Sequence, residues 1–310
     1  MYFTVVKNVL DHCIPLYASL SGLTVEDVYR LIEKHIKKTR NEHRSPDPSI
    51  DYENPLCRLG YLYVHVGANA TLFERTLLQT PHLARVIENA ARGVLTVCAV
   101  GGGPGTELLG LTEFITKKLD IPPRRLRFTV LDRVAQWGES WSVLADQCRS
   151  IFDAHFHDLG FSLSIESNFQ PMDVTDPSSY ANYGWLFKPT DIFVFNYLVS
   201  ENKVRMDAFR NALAAIVDAS RSGATFVFID RLEADGAFSA SIKQTIQDVR
   251  LCFVNDFTLG ESMDDSESDL GDYPKHLKAR PRRWFRTKCN LNPTVFVVVA
   301  QKALEQGPVS

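Results

Sequence analysis

Four glycines packed around a proline, Gly101-Gly102-Gly103-Pro104-Gly105, run straight off the apolar segment Val97-Cys98-Ala99-Val100 and into Thr106-Glu107. Successive glycines strip side chains from a sharp turn and let a ligand lie against main-chain amides. A dinucleotide turn requires G-x-G-x-x-G, with the diphosphate on the N-terminus of the next helix. Here the third glycine is missing, and Glu107 puts an acid where phosphates would sit. A carboxylate there suits a ligand carrying positive charge, whether Glu107 touches it directly or orients the loop. No Lys-Ser or Lys-Thr follows the glycines, which excludes the phosphate-cradling nucleotide loop.

Three further positions extend this chemistry. Phe128-Thr129-Val130-Leu131 ends in Asp132, beside Arg133, about one βαβ spacing after the glycines. An acid at that place accepts hydrogen bonds from both ribose hydroxyls, which points to an unphosphorylated nucleoside; the competing reading is a capping or loop aspartate. Met172-Asp173-Val174 follows another strand and could meet an adenine, Asp173 accepting from its exocyclic amine and Met172 packing its ring, although Asp176-Pro177-Ser178 also marks an ordinary turn. At Phe195-Asn196-Tyr197-Leu198, the candidate catalytic residues are Asn196, Tyr197 and Glu201, with Ser200, Asn202, Asp230 and Arg231 at the same mouth. Glu201 reads either as a general base whose pKa burial raises or as an exposed helix cap. Tyr197 reads as a wall of the acceptor pocket or as core filling beside Trp185.

The elements needed to hold these residues are visible in the hydrophobic pattern. Residues 1–92 carry apolar positions at helical spacing, with helices from Thr24, over Leu56–Leu78 and from Pro81, and the polar tract Lys37–Asp51 as a linker. From Val94 the texture changes to short β-branched runs alternating with amphipathic segments, the signature of a parallel sheet with helices between its strands. Strands are expected at Leu95–Val100, Leu126–Leu131, Ser162–Glu166, Asp191–Phe195, Thr225–Ile229 and Val295–Ala300. Helices are expected at Thr106–Lys118, Glu139–Phe156, Lys203–Ser220 and Phe238–Val249. Runs such as Ile192-Phe193-Val194-Phe195 imply burial on both faces.

Over about Val94 to Ala300, these residues together resemble the class I S-adenosylmethionine-dependent methyltransferases. The resemblance implies a Rossmann-like α/β fold: a mostly parallel sheet flanked by helices, with an antiparallel last strand and an N-terminal helical cap or lid over residues 1–92. It implies S-adenosyl-L-methionine as cofactor. The methionine moiety would lie on Gly101, Gly102, Gly103 and Gly105 with Glu107, the ribose on Asp132 with Arg133, the adenine by Met172, Asp173 and Val174, and the meeting point of cofactor and acceptor at Asn196. No subfamily follows from the motifs.

The acceptor stays open between RNA, protein and small molecule. Asn196-Tyr197-Leu198-Val199 lacks the paired prolines expected for adenine N6, and Asn196–Asn202 holds no nucleophilic cysteine of the kind cytosine C5 methylation requires. An N or O nucleophile remains. A catalytically silent cofactor sensor is the alternative, since no diagnostic acceptor motif is present, and a nicotinamide oxidoreductase shares the fold but clashes with Glu107. The formal net charge of −3 gives no overall field for polyanions. Glu261–Asp272 is acidic and Lys275–Lys288 basic, with Trp284 and Phe285 inside it. The pair reads as a solvated insertion at about 260–290, or as a stretch that tracks an RNA backbone with base stacking. Six scattered cysteines without C-x-x-C spacing read as reduced and mostly buried thiols, with no metal site. No basic leader and no long apolar run occurs, so the expectation is a cytoplasmic or nuclear chain without membrane contact. Asn69-Ala70-Thr71 matches a glycosylation acceptor, without consequence in such a chain.

Overall fold

The computed structural model describes residues 2–42, 50–91, 93–157, 159–232, 236–260 and 294–304. The charged insertion over 261–293, with the RNA contact expected of Lys275–Lys288, lies outside the described residues.

Four helices come first: α1 (Tyr2–Ser21), α2 (Val25–Glu42), α3 (Pro55–Gln79) and α4 (Pro81–Asn89). Asn54 starts α3, its side chain accepting from the Leu56 N–H, and Pro55 takes the first position, where no amide is needed. The alternating part follows as β1 (Val94–Val100), α5 (Thr106–Lys118), β2 (Arg125–Asp132), α6 (Trp137–His157), β3 (Ser164–Pro171), α7 (Pro177–Tyr180), α8 (Gly184–Phe187) and β4 (Ile192–Asn196). It continues through α9 (Leu198–Glu201), a 3-10 turn at Lys203–Arg205, α10 (Met206–Ala219), β5 (Thr225–Arg231), α11 (Ala237–Asp248), β6 (Leu251–Leu259) and β7 (Val295–Lys302).

The seven strands lie in the order β3-β2-β1-β4-β5-β7-β6, with β1 to β5 parallel and β7 antiparallel to both its neighbours. The mostly parallel sheet with an antiparallel last strand agrees with the expectation from sequence. Chain direction across the sheet reverses between β1 and β4, so the carboxyl ends of these strands part and leave a crevice.

Period-two alternation divides the core into two layers. Val97 and Ala99, Ile192 and Val194, and Val227 and Ile229 face a layer shared with α1 to α6, whereas Phe193, Phe195, Phe226 and Phe228 face α7 to α11. Phe195 and Phe228 stack at 4.8 Å, as do Phe193 and Phe226. Helices α1 to α4 belong to the first layer, continuous with the sheet. Where α3 crosses α5, a Cβ on Gly110 would run into the Ala70 carbonyl, so the two backbones touch. Asn69 of the glycosylation match is buried inside α3, its amide donating to the Tyr61 phenol oxygen at 3.1 Å.

Helix α2 overruns the expected linker, because Lys37, Lys38, Arg40 and Glu42 are good helix formers and the first proline waits until position 46. Strand β3 runs five residues further than expected and β6 was not foreseen. Both are sheet edges with polar residues along them, Asn168 and Gln170 in one and Asn255 and Asp256 in the other. Among the described cysteines, all free, Cys57, Cys98 and Cys148 are buried, Cys13 half-buried and Cys252 exposed. Among the described residues no helix is long and apolar enough to cross a membrane, and no cluster of three His, Cys, Asp or Glu side chains is placed to hold a metal ion.

Candidate functional site

At the carboxyl ends of β1 to β4 lies a cavity of about 230 Å³. Of the residues singled out in the sequence, its wall brings together Gly101, Gly103, Asp132, Arg133, Met172, Asp173, Val174, Asn196, Tyr197, Glu201 and Asn202. A second cavity of about 560 Å³ adjoins it, sharing Tyr52, Arg133, Val134, Met172 and Asp173.

The glycine turn works differently from the expectation of free amides. The Gly101 and Gly102 N–H groups donate to the Leu131 carbonyl at 2.7 and 3.3 Å, Gly105 N–H donates to the Gly102 carbonyl, and Gly103 N–H donates to Asp132 Oδ2 at 2.9 Å. The glycines therefore contribute shape and conformation rather than donors. Gly101 has φ of 67°, and a Cβ on it would stand 2.5 Å from Leu198 Cδ1, where the turn after β1 meets the turn after β4. Gly102 packs inward on Ala99 and Val130, and Gly105 packs against the Trp141 ring, so neither lines the cavity.

Asp132 is the hinge of the site. Its Oδ1 accepts from Val134 N–H and its Oδ2 from Gly103 N–H, both at 2.9 Å, leaving one lone pair on each oxygen for a ligand. Burial pushes its carboxyl up to about 6 against the pull of those two amides. Asp173 closes an Asx turn on Thr175, its Oδ1 accepting from the Thr175 amide and hydroxyl at 2.7 Å.

Glu107, a candidate for direct ligand contact, lies behind the wall instead. As the second residue of α5 it extends beneath the turn, 2 % exposed, where its Oε1 accepts from Asn196 Nδ2 at 2.9 Å. Its role is to orient Asn196. Its Oε2 and the Asn196 Oδ1 are both buried without a hydrogen-bond partner, so this corner is short of donors. Burial pushes the Glu107 carboxyl up to about 7, the Asn196 amide opposing. The folded chain thus holds this proton more tightly than the unfolded chain, and stability falls as pH rises from about 4.5 to about 7. The shift corresponds to a loss of order 3 kcal/mol above that window. Glu107→Gln is expected to flatten this part of the pH profile and to be more stable than the parent at pH 8; urea unfolding at pH 5 and pH 8 checks it, and equal slopes in both proteins would contradict it.

Tyr197 takes the left-handed conformation, φ 58° and ψ 5°, where β4 breaks into α9. A non-glycine residue held there, with its N–H tied to the Ile229 carbonyl at 2.8 Å, marks a strained backbone at the site. Tyr197 both lines the cavity and packs, half-buried, against the core, whereas Trp185, the neighbour considered for it there, is 65 % exposed. Asp230, fully buried, accepts from Ser200 N–H and Arg231 N–H and so fixes α9. Glu201, the last residue of α9, stands in the cavity with its side chain accessible to solvent. The surrounding protein, then Asp132, raises its carboxyl to about 7, an effect that water in the cavity screens in part.

The expected N-terminal cap supplies Tyr61 to the cavity wall, whereas Tyr52 and Trp137 were not singled out in the sequence. Tyr52, Tyr61 and Trp137 cover the cavity, with ring centroids 5.5–5.8 Å apart in tilted and edge-on pairs. The Tyr52 hydroxyl is buried without a partner. Val134, Val204 and Arg205 also line the wall and were not anticipated.

No protein-family model and no curated protein matches this sequence. Among solved structures the chain is similar to a SAM-dependent methyltransferase from Methanosarcina mazei, at 11 % identity and TM-score 0.41, over 71 % of this chain and 98 % of that one. An O-methyltransferase family protein from Burkholderia thailandensis matches at 13 % identity and TM-score 0.46, over 90 % and 71 %. A putative class I S-adenosylmethionine-dependent methyltransferase from Listeria monocytogenes matches at 11 % identity and TM-score 0.45, over 100 % and 91 %.

Proposed function

We propose that this chain binds S-adenosylmethionine and transfers its methyl group to an N or O nucleophile by in-line displacement. The observation that carries the reading is the internally satisfied glycine turn. A diphosphate needs free N–H donors at the strand-to-helix turn, and the amides of Gly101, Gly102, Gly103 and Gly105 are all spent on protein acceptors. Beside that turn lie two carboxyl groups, Asp132 and Glu107, which repel phosphate and attract a cation.

The residues present fit the cofactor. The open lone pairs of Asp132 suit a ribose diol, and the apolar Met172 and Val174 next to Asp173 suit a base with an exocyclic amine. The unpartnered Asn196 Oδ1, with Glu107 behind it, suits the ammonium of the methionine part. When bound, the sulfonium supplies an activated methyl carbon, so the protein contributes alignment and exclusion of water rather than a covalent step. Glu201 is placed to hold the proton that the acceptor gives up, Asp230 fixes the helix that carries it, and the strained Tyr197 shapes the wall beside it.

Calorimetric titrations test the reading. S-adenosylmethionine and S-adenosylhomocysteine are expected to bind and NAD is not; binding of NAD with neither sulfur compound would overturn it. Incubation with methyl-labelled cofactor and separated RNA, protein and metabolite fractions then distinguishes an active enzyme, which releases S-adenosylhomocysteine, from a silent binder.

A further inference from the structure

We propose that the part of the cavity between Glu201, Tyr52 and Tyr61 receives the acceptor as an aliphatic ammonium ion, with Glu201 as its counter-ion and proton acceptor. This rests on the methyltransferase reading and narrows its acceptor to an amine.

Charge is the first ground. The cavity wall carries three carboxylates, Asp132, Asp173 and Glu201, against two exposed guanidinium groups, Arg133 and Arg205, and Glu107 lies directly behind. The wall thus carries an excess of one negative charge, concentrated on the side chains inside the cavity, and such an excess favours a cation. The second ground is the aromatic wall: Tyr52, Tyr61 and Trp137 line the same cavity as Glu201, a combination that favours a cation over a neutral hydroxyl compound. Third, the buried Tyr52 oxygen has no partner in the protein, while Glu201 is the strongest charge acting on both the Tyr52 and the Tyr61 phenol. An ammonium group carries three donors, enough to serve the Glu201 carboxylate and the Tyr52 oxygen together.

The proton arithmetic also favours an amine. An alkylammonium has no lone pair and must lose a proton before it can attack; its pKa of about 10 is within reach of a carboxylate raised toward neutrality, whereas an alcohol's proton is not. The N–H proton passes to Glu201. The freed lone pair then forms the N–C bond as the C–S bond of the sulfonium donor breaks, its electron pair staying on sulfur. A methylated ammonium and a thioether leave, and Glu201 returns its proton to water. The groups that set the Glu201 titration are Asp132 from β2, Asp230 and Arg231 from β5, Arg133, and the facing phenols.

The test is calorimetry on the full chain saturated with S-adenosylhomocysteine, titrated at pH 7.5 with 2-phenylethylamine and, as its neutral counterpart, 2-phenylethanol. The amine is expected to bind at least about tenfold more tightly, Glu201→Gln to lose about tenfold for the amine alone, and Tyr52→Phe to lose about threefold. Equal affinity for amine and alcohol, or a Glu201→Gln chain that binds the amine unchanged, overturns the proposal. If S-adenosylhomocysteine itself fails to bind, the methyltransferase reading falls and this proposal with it; if it binds and no amine preference appears, only the proposal falls. Methyl-labelled donor offered with n-butylamine and with a lysine-containing peptide separates a free amine from a lysyl side chain as the source. Label that enters an alcohol, a phenol or a nucleoside and neither amine counts against it.

Discussion

Asp132→Ala is expected to weaken S-adenosylmethionine binding by about a hundredfold or more, since it removes two hydrogen bonds from a charged acceptor, each worth about 1.5–3 kcal/mol. The same carboxylate holds the Gly103 and Val134 amides, so its loss frees two backbone donors and loosens the turn that shapes the cavity. Asp132→Asn separates the two effects. It keeps one acceptor oxygen and the side-chain volume, so the fold should persist while binding falls to an intermediate value. Calorimetry reads the affinity and circular dichroism the fold; an alanine variant that binds within about threefold of the parent would remove Asp132 from the ribose role.

Gly105→Ala should be among the most damaging single methyl groups in the described residues. Gly105 has φ of 81°, costly for a residue with a Cβ, and that Cβ would run into the six-membered ring of Trp141, itself buried. Left-handed strain of about 1–2 kcal/mol adds to an overpacking cost of about 1–3 kcal/mol. The sum is a large share of the stability of an ordinary domain. Combining it with Trp141→Leu, which vacates the ring, should return part of the loss. A double-mutant cycle in urea isolates the steric share from the backbone share, and strictly additive losses would show that the ring is not what the methyl meets.

How far the sequence reveals this molecule depends on how local each feature is. Helix α5 falls at Thr106–Lys118 as read from its pattern, because turn chemistry and helical spacing lie side by side in one short stretch from Gly101 to Lys118. The buried strands β1, β4, β5 and β7 were legible from unbroken β-branched and aromatic runs. Edge strand β6 was not, since its residues are mostly exposed or half-buried and a bulge between Phe253 and Asn255 interrupts its alternation. In the site, Asp132 and Asn196 could be found because strand ends at the crevice are predictable positions. The loss of the glycine amides to Leu131 could not, for the acceptor comes from a strand some thirty residues away. Tyr61 reaches the cavity on α3, as the expected N-terminal cap implied, while Tyr52 comes from the segment before α3 that no local pattern marks.

That α3–α5 crossing constrains how a ligand gets in. With no side chain between Gly110 and the Ala70 carbonyl, the helix bearing Tyr61 and the helix rooted in the glycine turn are in van der Waals register. Tyr61 and the glycine turn are thus carried by two helices whose backbones touch. Among the described residues the adjoining cavity opens beside Ile50–Glu53, so a bulky substituent at Asp51 is expected to slow uptake of the proposed ligand without altering how tightly it is finally held.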